Sequence, residues 1–306
     1  MSLAELTQLF ESANVLKYVE YFFIFNLTLI LFEILLDLIT SKERRWKDTG
    51  ANIITFILRN ILDKLILGTI MVLGLMPFHQ LTPLEIPING WTWAAALLMA
   101  DFTYYWMHRL EHEHRILWGN HSVHHSSEDY NLSVSMRLCI VEGAIEWIFL
   151  IPMILIGFSP FQAIIALTFI AQYQTWIHTE RIVKLGWLDE VFNTPSVHRV
   201  HHGSNQKYLD KNYGGVLILW DKLFGTFQRE EEKVIYGLTK NIHTNNPIKI
   251  NFIEYQHIWN DIKKCQNWKD GFRIIFGDLV WRPDYFPPQK QKINIQNSEK
   301  QPNENQ

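Results

Sequence analysis

Cysteine is nearly absent from this sequence, which holds only Cys139 and Cys265 in 306 residues. Two cysteines exclude a disulfide framework and a thiolate zinc site, and they fit a reducing compartment. An excess of one charge is also missing. The net charge is −3, which gives no basic footprint for nucleic acid. No G-x-G-x-x-G, P-loop or G-x-S-x-G occurs, so direct binding of nicotinamide or flavin is not expected. The zinc-protease motif H-E-x-x-H fails as well, because H-E-H-R-I at 112–116 ends on the wrong residue. The first 18 residues lack a basic stretch followed by a short apolar core, so no cleavable signal peptide is expected.

What the chain has is apolar sequence, 48% of residues, set mostly in the first 180. A membrane-spanning helix needs about 20 such residues. Runs of this kind predict spans at about 15–39, 53–78, 86–107 and 138–178. Arg59, Asp63 and Lys64 interrupt the second. From Trp147 to Ile177 no residue is charged, and Gly157, Ser159 and Pro160 divide the stretch, so a helical hairpin of 138–158 and 160–178 is expected. Buried helices of a large soluble protein are the alternative, disfavoured because so many apolar runs follow one another. Twelve tryptophans suit membrane interfaces. The loop SKERRWK at 41–47 is basic and PFHQLTPLEIPING is not, which orients the first loop toward the cytoplasm. The expected fold is all-α. It is an integral membrane bundle of about four to five spanning or hairpin helices, one domain over 1–288, with a cytoplasmic histidine-rich helical cap at 108–137 and 179–288. Residues 289–306 are polar and read as a disordered tail.

The 13 histidines are clustered. His108 and His112 are four apart. His121, His124 and His125 form H-x-x-H-H, and His198, His201 and His202 repeat it. Positions i, i+3 and i+4 share a helix face, so each box is expected to aim its imidazoles at one point. Imidazole suits iron, zinc and copper. Eight such ligands exceed what one ion takes and fit two ions close together. His178, at the end of the hairpin, is a ninth candidate, although an interfacial histidine bonded to backbone reads the same. His79, His114, His243 and His257 are read as non-ligands. Ligating histidines usually donate their second N–H to a carboxylate or carbonyl, for which Asp101, Glu113, Asp129, Glu180, Asp210 and Asp221 are candidates. Glu142 and Glu146, four apart in a span, are either functional or solvated at its end. Glu111–His114 and Glu254–His257 match the short Glu-x-x-His of carboxylate di-iron proteins, but that reading leaves the clustered histidines unexplained. A metal transporter would place its ligands near mid-membrane, whereas these boxes lie past the ends of spans.

The segments DFTYYWMHRLEHE, GNHSVHHSSEDYNLSVSMR, QYQTWIHTE and NTPSVHRVHHGSNQKYLDKNYGGVLILWDKLFGTF resemble the fatty acid hydroxylase and sterol desaturase superfamily, and within it the alkylglycerol (glyceryl-ether) monooxygenases. The likeness is strong from Asp101 to Thr239. It implies a membrane oxidoreductase that uses dioxygen and two iron ions to hydroxylate a lipid C–H. The eight boxed histidines carry over as ligands, and Glu113, after His112, carries over as a catalytic carboxylate. It also implies tetrahydrobiopterin as reductant and attack beside the ether bond of an alkylglycerol. A sterol, fatty acyl or carotenoid hydroxylase or desaturase with another electron donor would share these boxes. The lipid would reach the irons from the membrane, with Tyr104, Tyr105, Trp106 and Trp176 as candidate walls. Tyr208, Tyr213 and Trp220 are candidates for a cofactor cleft on the polar side.

Overall fold

The computed structural model describes residues 13–41, 43–63 and 68–287. The expected tail at 289–306 lies outside them. The described residues contain eleven α-helices and two 3₁₀ turns and no β-strand, only two isolated bridges, so the all-α expectation holds.

Helix α1 (Ala13–Ile39) is apolar for almost its full length, about 40 Å at 1.5 Å per residue. Within the described residues it is the one helix long and apolar enough to cross a membrane. Within the expected second span, 53–78, the described residues belong to α2 (Trp46–Leu62) and α3 (Gly68–Leu81). Helix α2 buries Asp48, Asn52 and Thr55 and exposes Ile53, Ile54, Ile57 and Ile61. The expected third span starts later and runs on through the first histidine box as α4 (Gly90–Glu113). Asn89 caps it by accepting from the backbone of Trp91 and Thr92, while Thr92 Oγ1 accepts from Asn89 N.

The hairpin is present as α6 (Gly143–Ile156) and α7 (Pro160–Ile177). Gly157 between them has φ +112°, and a Cβ there would sit 3.0 Å from the Leu84 carbonyl oxygen, so only glycine fits this turn. Ser159 then caps α7 through Gln162 N, with Pro160 at its first position. Helices α3, α4, α6 and α7 enclose the main apolar core around Leu75, Ala96, Ala100, Leu150, Met153, Ala163, Ala166 and Ile170. Alanines at 96, 100, 163 and 166 let α4 and α7 approach closely.

The bundle has two distinct ends. The loop at 82–89 lies against the hairpin turn through Ile86 N to Gly157 O, 2.9 Å, and Thr82 Oγ1 to Leu155 O, 3.0 Å. At the far end of α4 sits a polar cap built from α5 (Arg115–His125), the 3₁₀ turn Leu132–Met136, α8 (Pro195–His201) and α9 (Leu219–Phe224). Helices α10 (Pro247–Ile262) and α11 (Trp268–Phe276) pack on α5. Buried ion pairs fasten this cap to α1 and α2. Arg44 bonds Asp37 at 2.6 Å and also Asn131 and Ser133. Arg137, fully buried, bonds Asp48 at 2.6 Å and Asn52 at 2.9 Å. Glu33 accepts from Leu132 N at 2.8 Å and from Thr179 Oγ1 at 2.7 Å.

Candidate metal centre

Each histidine box lies at a helix end facing the same interior space. His108 and His112 occupy the last turns of α4. His121, His124 and His125 close α5, and His198 and His201 close α8 with His202 as its C-cap. His178 is the C-cap of α7. All nine are buried. Their ring nitrogens fall into two groups. His108, His112, His121, His125 and His201 form one, and His124, His178, His198 and His202 form the other; in each, the ligand atoms lie within 4.8 Å of one another.

The expectation that each box aims at a single point is corrected by this division. In each H-x-x-H-H box the i and i+4 rings join one group and the i+3 ring crosses to the other. Residues i+3 and i+4 are about 100° apart around a helix of 3.6 residues per turn, so one short helix serves two points. The groups abut, with His125 stacked on His202 at 4.5 Å between ring centroids. Within them, His108 and His121 Nε2 are 2.9 Å apart, and His178 Nε2 is 3.0 Å from the Nε2 of both His124 and His198.

The electrostatics favour metal over protons. Burial, reinforced by neighbouring imidazoles, holds His108, His121, His125, His198, His201 and His202 well below the usual histidine range. Burial likewise lowers His124, to about 4. Neutral imidazoles are the ligand form. The Nε2 atoms of His112 and His201 are buried without a hydrogen-bond partner, and orphaned buried acceptors of this kind call for an occupant. Nine imidazole nitrogen donors in groups of five and four fit transition-metal ions.

The second ring nitrogens are held from outside. His108 Nδ1 faces Tyr213 O at 3.0 Å, His124 Nδ1 faces Arg137 O at 3.3 Å, His178 Nδ1 faces Gln174 O at 2.6 Å, and His201 Nδ1 faces Lys211 O at 2.9 Å. Backbone carbonyls therefore do most of the work expected of carboxylates. Of the six carboxylates expected there, only Asp210 approaches a ligand directly, 3.7 Å from His112 Nδ1. Asp221 acts one step back. It accepts from Tyr213 N, Gly214 N and Thr226 Oγ1, fixing the loop whose carbonyl meets His108. Asp101 accepts from Val216 N, Leu217 N and Trp220 Nε1. A Cβ on Gly215 would lie 2.7 Å from Asp101 Oδ1. Asp129 bonds Arg45 N and its own turn, and Glu180 neighbours Tyr236. Glu113 lies on the flank of α4, paired with Arg109 at 2.7 Å and 43% exposed, outside both groups.

Sequence reasoning missed Glu111 as a partner of the site. Its Oε2 is 3.4 Å from His121 Nδ1, and with Glu142 it lies in one cluster around that ring. Burial, with Glu142 and Glu146 adding, pushes its carboxyl well above the usual range, against a hydrogen bond from Asn120. The available signal was its place between His108 and His112. Also unforeseen is the left-handed backbone of Asp210 and Asn212, both at φ 59°, which costs about 1–2 kcal/mol per residue. Asn212 offsets it by bonding Val197 O, Gln228 O and Gln228 N, and the turn delivers Lys211 O to His201.

The isolated histidines lie outside both groups. His114 faces Phe276 O, His243 faces Glu128 and His257 faces Glu254. Tyr213 closes the five-membered group, packed on His108, His112 and His201. Tyr104 lies against His108, whereas Tyr105 and Trp106 pack on Phe224 and Trp176 packs on Tyr173. Tyr208 bonds Glu231 N and Glu232 N, away from the histidines.

Residues 93–226 match the family model described as fatty acid hydroxylase, which bears out the resemblance drawn from the histidine boxes. Alkylglycerol monooxygenase of Homo sapiens is 49% identical over 195 residues, covering 64% of this chain and 44% of the relative. The Danio rerio protein of the same name is 44% identical over 201 residues, 65% of this chain and 45% of the relative. An ornithine lipid hydroxylase of Rhizobium tropici is 32% identical over 133 residues, 43% and 40% of the two chains. The chain thus spans less than half the length of these curated relatives. No solved structure matches it.

Proposed function

We propose that this chain is a membrane lipid monooxygenase, and that its nine clustered histidines hold two iron ions. The observation that carries the reading is the interleaving of the boxes into adjacent groups of five and four buried imidazoles, within a segment similar to fatty acid hydroxylases. Iron bound there would supply the activation of dioxygen for attack on a substrate C–H. The residues of the chain do the rest. His108, His112, His121, His125 and His201 hold one ion, and His124, His178, His198 and His202 hold the other. The carbonyls of Arg137, Gln174, Lys211 and Tyr213 fix the ring tautomers, and Glu111 orients His121. Tyr213 shields the five-membered group from water. Glu113 and Arg109 form a charged pair at the rim, where Glu113 contributes to turnover by placing a reductant or the substrate's polar end.

We place α1 across the membrane and the histidine groups on the cytoplasmic face. In support, Arg44 and Arg45 of the basic loop bond Asn131 and Asp129, at the same end as the histidines. The substrate is a lipid. The similarity to alkylglycerol monooxygenases favours an alkylglycerol attacked beside its ether bond, with tetrahydrobiopterin as reductant.

The test is elemental mass spectrometry on detergent-purified protein from iron-supplied cells, followed by alkylglycerol turnover with and without tetrahydrobiopterin. About two irons per chain and pterin-dependent aldehyde release are expected. Two irons with turnover only of sterols or fatty acyl lipids would retain the oxygenase and replace the substrate. A folded chain that takes up one metal or none would refute the dinuclear reading.

A further inference from the structure

Helix α11, W-K-D-G-F-R-I-I-F, carries an apolar face with no partner in the fold. Trp268 is 76% exposed, Phe272 58% and Phe276 51%. They recur every four residues, so they form one stripe, and Phe272 and Phe276 touch at 4.9 Å. The opposite face is the packed one, since Gly271 and Ile274 are buried. Val280, just beyond, is 83% exposed, and Trp259 on α10 is 57% exposed.

Charge decides what this face meets. Lys269 and Arg273 flank the stripe and are exposed, as are Lys263 and Lys264 in the turn before it. Asp270, the one acid on the helix, is engaged by Asn267 and by the Tyr285 hydroxyl. Asp278 and Asp284 are exposed beyond the helix end. An aromatic stripe bordered by cations is the pattern of a helix lying in a membrane interface.

Position agrees. Two backbone bonds tie the end of α11 to the point where α4 leaves the bundle. Arg115 N donates to Gly277 O at 3.3 Å and Leu279 N to Glu113 O at 2.9 Å, which together make the antiparallel bridge between His114 and Asp278. The stripe is thereby held beside the end of a bundle helix, next to the surface from which that helix emerges.

We infer that α11 lies in the headgroup region of the cytoplasmic leaflet, with Trp268, Phe272 and Phe276 inserted and Lys269 and Arg273 on anionic lipid. This rests on the membrane reading above and adds a second, peripheral attachment to it. The attachment fixes the height of the histidine cap over the bilayer.

The experiment uses the full chain with Cys265→Ser, reconstituted in phosphatidylcholine–phosphatidylserine vesicles, with a nitroxide on one introduced cysteine at a time. Phe272→Cys and Phe276→Cys test the stripe, Leu31→Cys reports α1, and Lys233→Cys reports the exposed cap. Power saturation compares collisions with oxygen and with a water-soluble nickel chelate. Labels at 272 and 276 are expected to favour oxygen, as at 31, while 233 favours nickel. Nickel access at 272 equal to that at 233, with 31 still oxygen-rich, would overturn the inference and leave the membrane reading standing. Nickel access at 31 as well would overturn both. Dipolar broadening at 272 without oxygen access would assign the face to a second copy of the chain and overturn the inference.

Discussion

Replacing His178 by alanine separates the two metal groups. Its Nε2 stands 3.0 Å from both His124 and His198, so the substitution takes the four-membered group to three donors and leaves the five-membered group intact. A four-ligand site holds its ion with roughly 10–16 kcal/mol, about 3 kcal/mol per ligand. At 1.4 kcal/mol per tenfold, the loss of one ligand weakens that ion by roughly two orders of magnitude. His112→Ala, by contrast, leaves four donors in its group. The assay is metal per chain by elemental mass spectrometry across a chelator series. His178→Ala should fall to about one ion at chelator concentrations where the parent keeps two, and His112→Ala should fall later. Because removal of a buried ring also leaves a cavity worth a few kcal/mol, His178→Gln is the companion that fills space, and it should lose the same ion. Full metal retention by both His178 variants through the series would refute the assignment.

Glu111→Gln replaces the buried carboxylate 3.4 Å from His121 Nδ1, and metal affinity should fall about 10–100-fold; an unchanged chelator midpoint would remove Glu111 from the site. Asp48→Ala leaves the fully buried Arg137 without its 2.6 Å partner and should cost about 3–5 kcal/mol; a loss under about 1 kcal/mol in denaturant unfolding would contradict the burial of that pair. Acidification should destabilise the metal-free chain. His124 has a folded pKa of about 4 against about 6.5 unfolded, so between these values the unfolded chain binds a proton that the folded chain refuses. Stability contributed by the neutral ring is present above about pH 6.5 and lost as pH falls, at about 1.4 kcal/mol per pH unit for this group alone. The depressed His108, His121, His125, His198, His201 and His202 steepen the slope in the same direction. Unfolding midpoints that stay flat from pH 7 to 5 would show the rings are not buried neutral.

The histidine clusters were legible because their spacing is local: i, i+3 and i+4 on a short helix need no knowledge of the rest of the chain. The division of each box between two groups was not, since it depends on how α5 and α8 meet, a long-range fact. Likewise, the hairpin turn could be read from Gly157, Ser159 and Pro160, but the carbonyls of Lys211 and Tyr213 carry no side-chain signature. The left-handed turn at Asp210 and Asn212 was equally silent. Carboxylates were overvalued as partners for that reason: Asp221 and Asp101 serve the loop, and the loop serves the histidine. Glu111 was read as half of a short Glu-x-x-His match, yet its companion His114 points to Phe276 O.

Helix α2 shows what hydropathy alone does not report. Its isoleucines at 53, 54, 57 and 61 count as membrane-like, and they are the exposed face. The residues that would forbid a lipid environment, Asp48, Asn52 and Thr55, point into the cap, where Asp48 and Asn52 hold Arg137. Arg137 in turn presents its carbonyl to His124. An apolar exterior over a charged interior is the reverse of a soluble amphipathic helix. Such a helix suits an outer face against lipid and an inner face whose charges are paired, as Asp48 is with Arg137. Helix α2 thus joins an exposed apolar face to the histidine groups through a single chain of contacts, from Ile53 and Ile57 outward to Asp48, Arg137 and His124 inward. Asp48 and Asn52, on the turns just before the expected span, are the polar residues of α2 that support the site.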